Sequence, residues 1–318
     1  MVDPRVRTSQ PERLIVTGVD GIVGANLALA LADRFAVVGL HHSLAVSLEG
    51  CQTARCASND SKTLASVVRD TKPHWIIHCG PLAQSSWDVP DQRPDHAAEA
   101  RTCRLLADLA TQAEGRLTVI GTDAVFTGPR MFHCEKAPTT KSHPFAQAAL
   151  RVERALQKTT ALIVRTHAYG WSPAGAAPGF AEQAWQALAE GAFQPLAADR
   201  HATPILVADL AALVYRAYLR GLEGICHIAG AERTSQYRFA VELAMACGLK
   251  GPVVPTEELP PTAARQTRLG ETSLNTQRAR YDLGAAMPLV RDGLARFAEQ
   301  AKSGFRARLQ TRPQPIAA

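Results

Sequence analysis

The sequence lacks any run of apolar residues long enough to cross a membrane. No uninterrupted stretch approaches the roughly 18 residues that a transmembrane helix needs, although 46% of the 318 residues are hydrophobic. The first thirteen residues, MVDPRVRTSQPER, contain no apolar segment of the kind found in a secretory signal peptide. We therefore expect a globular chain with a sizeable core, no membrane partner and a cytoplasmic location.

The sequence also has few cysteines and no run of basic residues. Its seven cysteines are scattered and odd in number, which favours reduced thiols over a disulfide framework. Cys51 and Cys56 have no second pair of ligands nearby, so no metal site is predicted. The net charge is +6 and the pI is about 9.1, but the lysines and arginines are dispersed. Nucleic acid is therefore not predicted as a partner.

The most informative stretch is LIVTGVDGIVG, residues 14–24. Its apolar start predicts a buried strand, and the apolar pattern of residues 22–35 predicts a helix. Gly18, Gly21 and Gly24 lie between the two. This arrangement is typical of a dinucleotide-binding turn, since glycine lets a pyrophosphate approach the N–H groups that begin the helix. A glycine-rich turn without a ligand is the alternative.

Strands and helices alternate through the first half of the chain at the spacing of βαβ units. This alternation predicts an α/β fold, a Rossmann-like doubly wound parallel sheet, over residues 13–170 as an NAD(P)-binding domain. Residues 171–303 supply few strands, and we expect them to form a smaller α/β substrate-binding lobe interwoven with the first. Residues 1–12 and 304–318 are expected to be flexible termini. The further predicted strands are 36–40, 53–56, 74–79, 117–121 and 161–165.

The predicted cofactor site follows from the rule that ligands bind beyond the carboxyl ends of parallel strands. The second strand ends in His41, His42 and Ser43, with no acidic residue to hold a ribose 2′-hydroxyl, so NADP is favoured over NAD. An ordinary surface loop at the two histidines is the alternative. The residues expected to bind the cofactor are Gly18, Asp20, Gly21, Ile22, Val23, Gly24, His42, Ser43, Cys79 and Gly80.

Five stretches occur in an order that carries more information than any one of them. They are TGVDGIVG (17–24), GTDAVFTG (121–128), DRHATPILVADLA (199–211), GICHIAGAERTSQYRFA (224–240) and RLGETSLN (268–275). Together they resemble the extended short-chain dehydrogenase/reductases, in particular the dTDP-4-dehydrorhamnose reductase type, over most of the chain. The resemblance implies a nicotinamide cofactor and a small-molecule nucleotide sugar, with Thr203 and Arg268 on the substrate side. It leaves a homodimer or a protein partner open.

The chain departs from this family where the family's chemistry resides. The family's YxxxK pair supplies a tyrosine that protonates the carbonyl oxygen and a lysine that lowers the tyrosine pKa and holds the nicotinamide ribose. Alignment places Phe145 and Ala149 at these two positions, while Thr122 is retained. The family's asparagine in the helix after the fourth strand is likewise not evident near Glu99. The prediction is an oxidoreductase-like pseudoenzyme that binds NADP or NAD, with weak or lost binding of the cofactor left open.

Two other functions stay open on sequence alone. The first is an active NADP-dependent sugar-nucleotide 4-ketoreductase that uses a substitute proton donor. His143 is the first candidate for this donor. The other candidates are His133, Cys134 and Glu135, in the same segment, and Tyr169, just past the sixth strand at the predicted ligand edge of the sheet. The second is a non-catalytic regulatory or scaffold subunit.

Overall fold

The computed structural model describes residues 11–56, 60–88, 96–140, 143–192, 194–250, 253–256 and 270–309. Its strands are β1 (Arg13–Thr17), β2 (Ala36–His41), β3 (Cys51–Arg55), β4 (Trp75–His78), β5 (Arg116–Ile120), β6 (Leu162–Arg165), β7 (Ala168–Tyr169), β8 (Gln194–Ala197), β9 (His201–Ala202), β10 (Ile205–Leu206), β11 (Gly224–His227), β12 (Thr234–Ser235) and β13 (Val253–Thr256). Its helices are α1 (Ile22–Leu31), α2 (Ser61–Thr71), α3 (His96–Gln112), α4 (Pro144–Leu156), α5 (Phe180–Glu190), α6 (Val207–Leu219), α7 (Gln236–Cys247), α8 (Gln277–Leu283), α9 (Val290–Lys302) and α10 (Phe305–Arg308).

The central sheet has seven strands in the order β3-β2-β1-β4-β5-β6-β11, and every neighbouring pair is parallel. Thr17 lies opposite Leu40 on one side and opposite His78 on the other. The carboxyl ends of β1, β2 and β4 therefore meet at one edge, and the strand order reverses between β1 and β4. This architecture confirms the predicted Rossmann-like fold, and the reversal is the place where such sheets bind ligands.

Both faces of the sheet are covered because its strands are apolar at successive positions. Leu14 and Val16 point into a cluster that includes residues of α1 and α6, whereas Ile15 points into a cluster with residues of α2, α3 and α4. Side chains alternate between the two faces of a strand. A continuous apolar run therefore requires helices on both sides, and this is what holds the sheet in the middle of three layers.

The second half of the chain is interwoven with the first. Strand β11 pairs with β6 at the edge of the main sheet, and helix α6 packs on α1. The other strands form two-stranded pairs, β7 with β10, β8 with β13, and β9 with β12. Strand β11, from the second half of the chain, is thus part of the central sheet, and the division into a domain and an interwoven lobe stays a prediction.

Residues 304–309 are the described part of the C-terminal segment that was expected to be flexible. Helix α10 lies within it, and Leu309 is 1% exposed. The Arg306 guanidinium donates to Glu182 at 3.0 Å and lies over the ring of Trp171. These contacts hold residues 304–309 against the body. Within the described residues, no helix has the length and apolar character needed to cross a membrane.

Candidate functional site

A cavity of about 700 Å³ opens at the reversal between β1 and β4. Its wall is formed by the glycine turn, the start of α1, the ends of β2 and β4, and residues 176–180. This volume lies within the usual range for small-molecule and cofactor sites. All ten residues predicted to bind a cofactor line it: Gly18, Asp20, Gly21, Ile22, Val23, Gly24, His42, Ser43, Cys79 and Gly80.

The three glycines of this stretch differ in the space around them. Gly18 has a φ of +69°, and a Cβ there would overlap the carbonyl oxygen of Cys79. A Cβ at Gly24 would overlap the carbonyl of Gly18, so this glycine lets α1 lie against the turn. A Cβ at Gly21 would meet only the Gly18 oxygen, at 3.4 Å. Gly21 is therefore the position from which a side chain would enter the cavity.

The N-terminus of α1 faces the cavity with unused donors. The first N–H groups of an α-helix have no partner inside the helix, and the cap residue Gly21 offers no side chain to accept from them. Ile22, Val23 and Gly24, which begin α1, all line the cavity. Such a helix end attracts an anionic group, because its donors and the helix dipole act together.

Residues 176–180 cover this helix end. The backbone N–H of Phe180 donates to Asp88 at 2.6 Å, and Asp88 in turn accepts from the Ser85 hydroxyl at 2.6 Å. Gly179 lies so close to Ile22 that a Cβ there would be 2.7 Å from the isoleucine side chain. These contacts join residues 179–180 to the start of α1 and to the segment that contains Asp88.

Asp20 is the one acidic side chain of the glycine turn, and it bonds to the loop after β2. Its Oδ2 accepts from the backbone N–H groups of His42, Ser43 and Leu44 at 3.0, 2.8 and 3.2 Å, and from the Ser43 hydroxyl at 3.1 Å. Burial acts to raise the Asp20 pKa, but these backbone bonds outweigh it and hold the pKa below its usual value. A fixed negative charge therefore lines this end of the cavity.

A buried chain of hydrogen bonds that the sequence did not reveal lies under the turn. His78 Nδ1 is 2.6 Å from the Thr17 hydroxyl, and His78 Nε2 is 2.9 Å from Glu99 Oε1. A Cβ at Gly80 would overlap Glu99 and crowd the His78 ring, so the glycine makes room for the pair. Burial would lower the His78 pKa, but Cys103 and the Glu99 carboxylate raise it well above its usual value.

The same chain brings three metal-ligand types together. His78, Glu99 and Cys103 are all buried, and their donor atoms lie within 4.8 Å of one another. The direct bond between imidazole and carboxylate uses the two atoms that an ion would need, and both nitrogens of His78 are engaged. Hydrogen bonding accounts for this cluster, so we assign it a structural and electrostatic role.

The residues expected to carry catalysis lie away from the cavity wall. Thr122 is buried, and its hydroxyl accepts from the backbone N–H of Ala124 at 3.0 Å. Phe145 and Ala149 are 2% and 4% exposed and pack in the apolar cluster with α3. Within the described part of the chain, none of the three is among the residues that line the cavity.

The candidate substitute acids have other partners or unfavourable surroundings. His143 caps α4, with its Nδ1 accepting from the Phe145 N–H at 3.2 Å, so a proton on that nitrogen would break the cap. His133 is buried and stacked on Phe126, and burial lowers its pKa. Burial raises the pKa of the Tyr169 phenol far above its usual value. None of these three environments resembles that of a proton donor tuned for neutral pH.

The substrate-side predictions fall near a second buried network. Thr203 is fully buried, and its hydroxyl accepts from the Leu274 N–H at 3.2 Å; Arg268 lies outside the described residues. Asp123, which follows Thr122, accepts from Ser86 at 2.7 Å and from Thr272 at 2.5 Å, and it lies 2.7 Å from His167 Nδ1.

Burial acts to raise the Asp123 pKa, but His167 and these bonds hold it below its usual value. Because its partners come from separate segments, the Asp123 carboxylate ties the ends of β5 and β6 to residues 84–88 and to residues 270–276. The only sign of this network in the sequence is the aspartate within GTDAVFTG, because the partners of Asp123 lie far from it along the chain.

Comparison with known proteins identifies what this architecture is similar to. The family described as the RmlD substrate binding domain matches residues 12–303. A dTDP-4-dehydrorhamnose reductase from Bacillus anthracis, in complex with NADP, has a TM-score of 0.73 at 22% identity over 91% of this chain and 99% of its own. No curated protein matches the sequence.

Two other solved structures share the fold at lower identity. The Bordetella bronchiseptica enzyme WbmG, in complex with NAD and UDP, has a TM-score of 0.75 at 16% identity over 96% of this chain and 100% of its own. A UDP-glucose 4-epimerase from Thermotoga maritima, with UDP-glucose, has a TM-score of 0.73 at 15% identity over 92% of this chain and 99% of its own. At these identities the likeness shows the fold.

The buried His78–Glu99 pair predicts a pH-dependent stability. Glu99→Ala removes the carboxylate that holds the raised His78 pKa, and we expect a loss of about 3 to 5 kcal/mol near pH 6. The stabilisation that this pair contributes is fully present below the unfolded histidine pKa of about 6.5. It is lost as the pH rises through the raised pKa of His78 in the folded state. The difference in the free energy of unfolding between the native protein and the variant, measured by denaturant unfolding, should therefore decrease from pH 6 to pH 9.

The matched control is Asp108→Ala on the same helix. Asp108 forms a 3.2 Å pair with Arg104, and both side chains are 50% exposed, so its loss should cost no more than about 1 kcal/mol and change little with pH. Equal costs for the two variants at every pH would contradict the assignment of His78 and Glu99 as a buried charged pair.

Proposed function

The chain belongs to the RmlD substrate binding domain family, and from that membership we propose that it is a dinucleotide-binding protein of nucleotide-sugar metabolism with very low ketoreductase turnover. The observation that carries the proposal is the cavity itself. The ten residues that the sequence predicts to bind a cofactor all line one cavity, at the point where the strand order reverses between β1 and β4. The residues aligned with the family's proton donor and its lysine lie in the apolar core instead.

The cavity fits a dinucleotide by its own chemistry. The open Cβ position of Gly21 and the unused N–H groups of Ile22 and Val23 suit a pyrophosphate. Asp20, His42 and Ser43 would contact the adenosine ribose, and Cys79 and Gly80 would contact the chain of the cofactor as it crosses from β1 to β4. When bound, a reduced nicotinamide supplies a hydride. The sequence favoured NADP, and solved relatives of this fold hold NADP or NAD.

The proposal of low turnover follows from what the chain cannot supply. Hydride addition to a ketone places negative charge on the carbonyl oxygen, and a positioned acid accelerates such a step by about 10² to 10⁴-fold. Phe145 and Ala149 carry neither a hydroxyl nor a cation. Phe145 keeps the volume of an aromatic ring in the core, so packing can persist without the chemistry.

A regulatory or scaffold subunit is the second candidate function, and it rests on the same pair of core positions. It would retain the dinucleotide or a nucleotide sugar and act on a protein partner or a second copy of the chain. An active reductase with a substitute donor is the less favoured interpretation, because His143 caps a helix and Tyr169 is buried. Seven free thiols support a reducing compartment such as the cytoplasm for each of these functions.

Gly21→Asp tests where the dinucleotide binds. The new carboxylate would enter the cavity beside the pyrophosphate, so we expect the affinity for NADH and NADPH to fall by about tenfold or more, measured by fluorescence titration. Ala30→Asp is the matched control, since it adds the same carboxylate at an exposed position of the same helix, outside the cavity lining, and it should bind as the native protein does. Unchanged affinity in Gly21→Asp would place the site elsewhere.

The double change Phe145→Tyr with Ala149→Lys tests the missing chemistry. With dTDP-4-dehydrorhamnose and a reduced cofactor, the native protein should turn over far more slowly than about 1 s⁻¹. If α4 presents these two positions to the bound cofactor, the double variant should be faster by about 10² or more, because it restores both an acid and the cation that tunes it. An unchanged rate would show that their enclosure in the core keeps them from the substrate. Each single change serves as the control and should recover little. Native turnover near 1 s⁻¹ or above would contradict the proposal.

A further inference from the structure

The carboxylate of Asp20 occupies the place where dinucleotide-binding folds distinguish NAD from NADP. In these folds the adenosine ribose lies beyond the carboxyl end of the second strand, where an acidic residue holds the 2′-hydroxyl or a basic residue holds a 2′-phosphate. Here β2 ends at His41, and the next residues are His42 and Ser43. The acidic group at this place comes from the glycine turn instead.

The backbone donors at this place are already taken. The N–H groups of His42, Ser43 and Leu44 converge on one oxygen of Asp20, at 2.8 to 3.2 Å, and the Ser43 hydroxyl adds a fourth bond. Consecutive N–H groups that converge in this way form a site suited to an anion. In this protein the anion is part of the chain, so a 2′-phosphate would have to displace it.

The charges around the Asp20 carboxylate also disfavour a 2′-phosphate. The pKa of Asp20 lies below its usual value, so the carboxylate is ionised at neutral pH. Burial lowers the pKa of the neighbouring His41, which disfavours the charged form of that imidazole. Arg55 pairs with His41 in the sheet register but is exposed and is not among the residues that line the cavity. Among the described residues that line the cavity, a 2′-phosphate would therefore meet the Asp20 carboxylate and no lysine or arginine.

We propose that Asp20 makes this cavity select NAD(H) over NADP(H). The Asp20 carboxylate can accept a hydrogen bond from an unmodified ribose hydroxyl, whereas it repels a phosphate and holds the donors that the phosphate would use. This inference rests on the proposed dinucleotide site. It reverses the preference that the sequence favoured, because that preference considered the end of β2 without the residue that reaches it from the turn.

The test is the ratio of NADP to NAD dissociation constants, measured by calorimetry on the full chain. The native protein should bind NAD at least about tenfold more tightly than NADP. Asp20→Ser removes the charge and frees the donors, and Asp20→Asn removes the charge with little change in shape. Both should lower the ratio by about tenfold or more, chiefly through tighter binding of NADP.

The control is Asp33→Asn, an exposed carboxylate just beyond α1 that changes the net charge equally, and it should leave the ratio as it is. Because the ratio is measured within each variant, a general loosening of the fold does not imitate the effect. A native preference for NADP, or an unchanged ratio in both Asp20 variants, overturns the inference while the dinucleotide site stands. Failure of every form to bind either dinucleotide overturns both.

Discussion

The backbone of Gly18 packs against the carbonyl of Cys79, and the arrangement of the cavity depends on that contact. It joins the turn after β1 to the end of β4 at the point where the sheet order reverses, and it leaves no space for a Cβ. The Gly18 carbonyl also accepts from the Gly21 N–H at 3.0 Å and lies against Gly24. One glycine therefore sets both the depth of the turn and the position of the helix end that faces the cavity.

The polar groups around the cavity divide into two classes with different consequences. His78 and Glu99 satisfy each other beneath the floor, and Asp123 is satisfied by its partners near the substrate side, so neither group is free for proton transfer. Asp20 and the start of α1 face the cavity directly. The cavity therefore has polar groups that can bind a ligand, whereas the buried polar groups around it hydrogen-bond to one another and have a structural role.

The local pattern of the sequence was sufficient for the fold and for the lining of the cavity. An apolar run, three glycines and a second apolar run are contiguous, so Gly18, Gly21 and Gly24 could be assigned to a turn from their spacing alone. The alternation of strands and helices likewise determined a parallel sheet. What it did not determine was the participation of β11, since a short strand far along the chain joins β6 only through tertiary packing.

The remaining features depend on contacts between distant segments. Asp20 meets residues 22 to 24 positions away, His78 meets Glu99 of α3 at a separation of 21 positions, and Asp123 meets Thr272 at a separation of 149 positions. Such pairs cannot be predicted from the periodicity or the local spacing of residues in the sequence. The contact between Arg306 and the buried Glu182 is another such pair, with a separation of 124 positions.

The most direct test of this account is a crystal structure of the protein grown with saturating NAD. The account predicts the pyrophosphate at Gly21 and the first turn of α1, the adenosine ribose beside Asp20, and Phe145 and Ala149 still enclosed in the core between α3 and α4. A dinucleotide bound at another place, or a cavity that stays empty at saturating NAD, would contradict it.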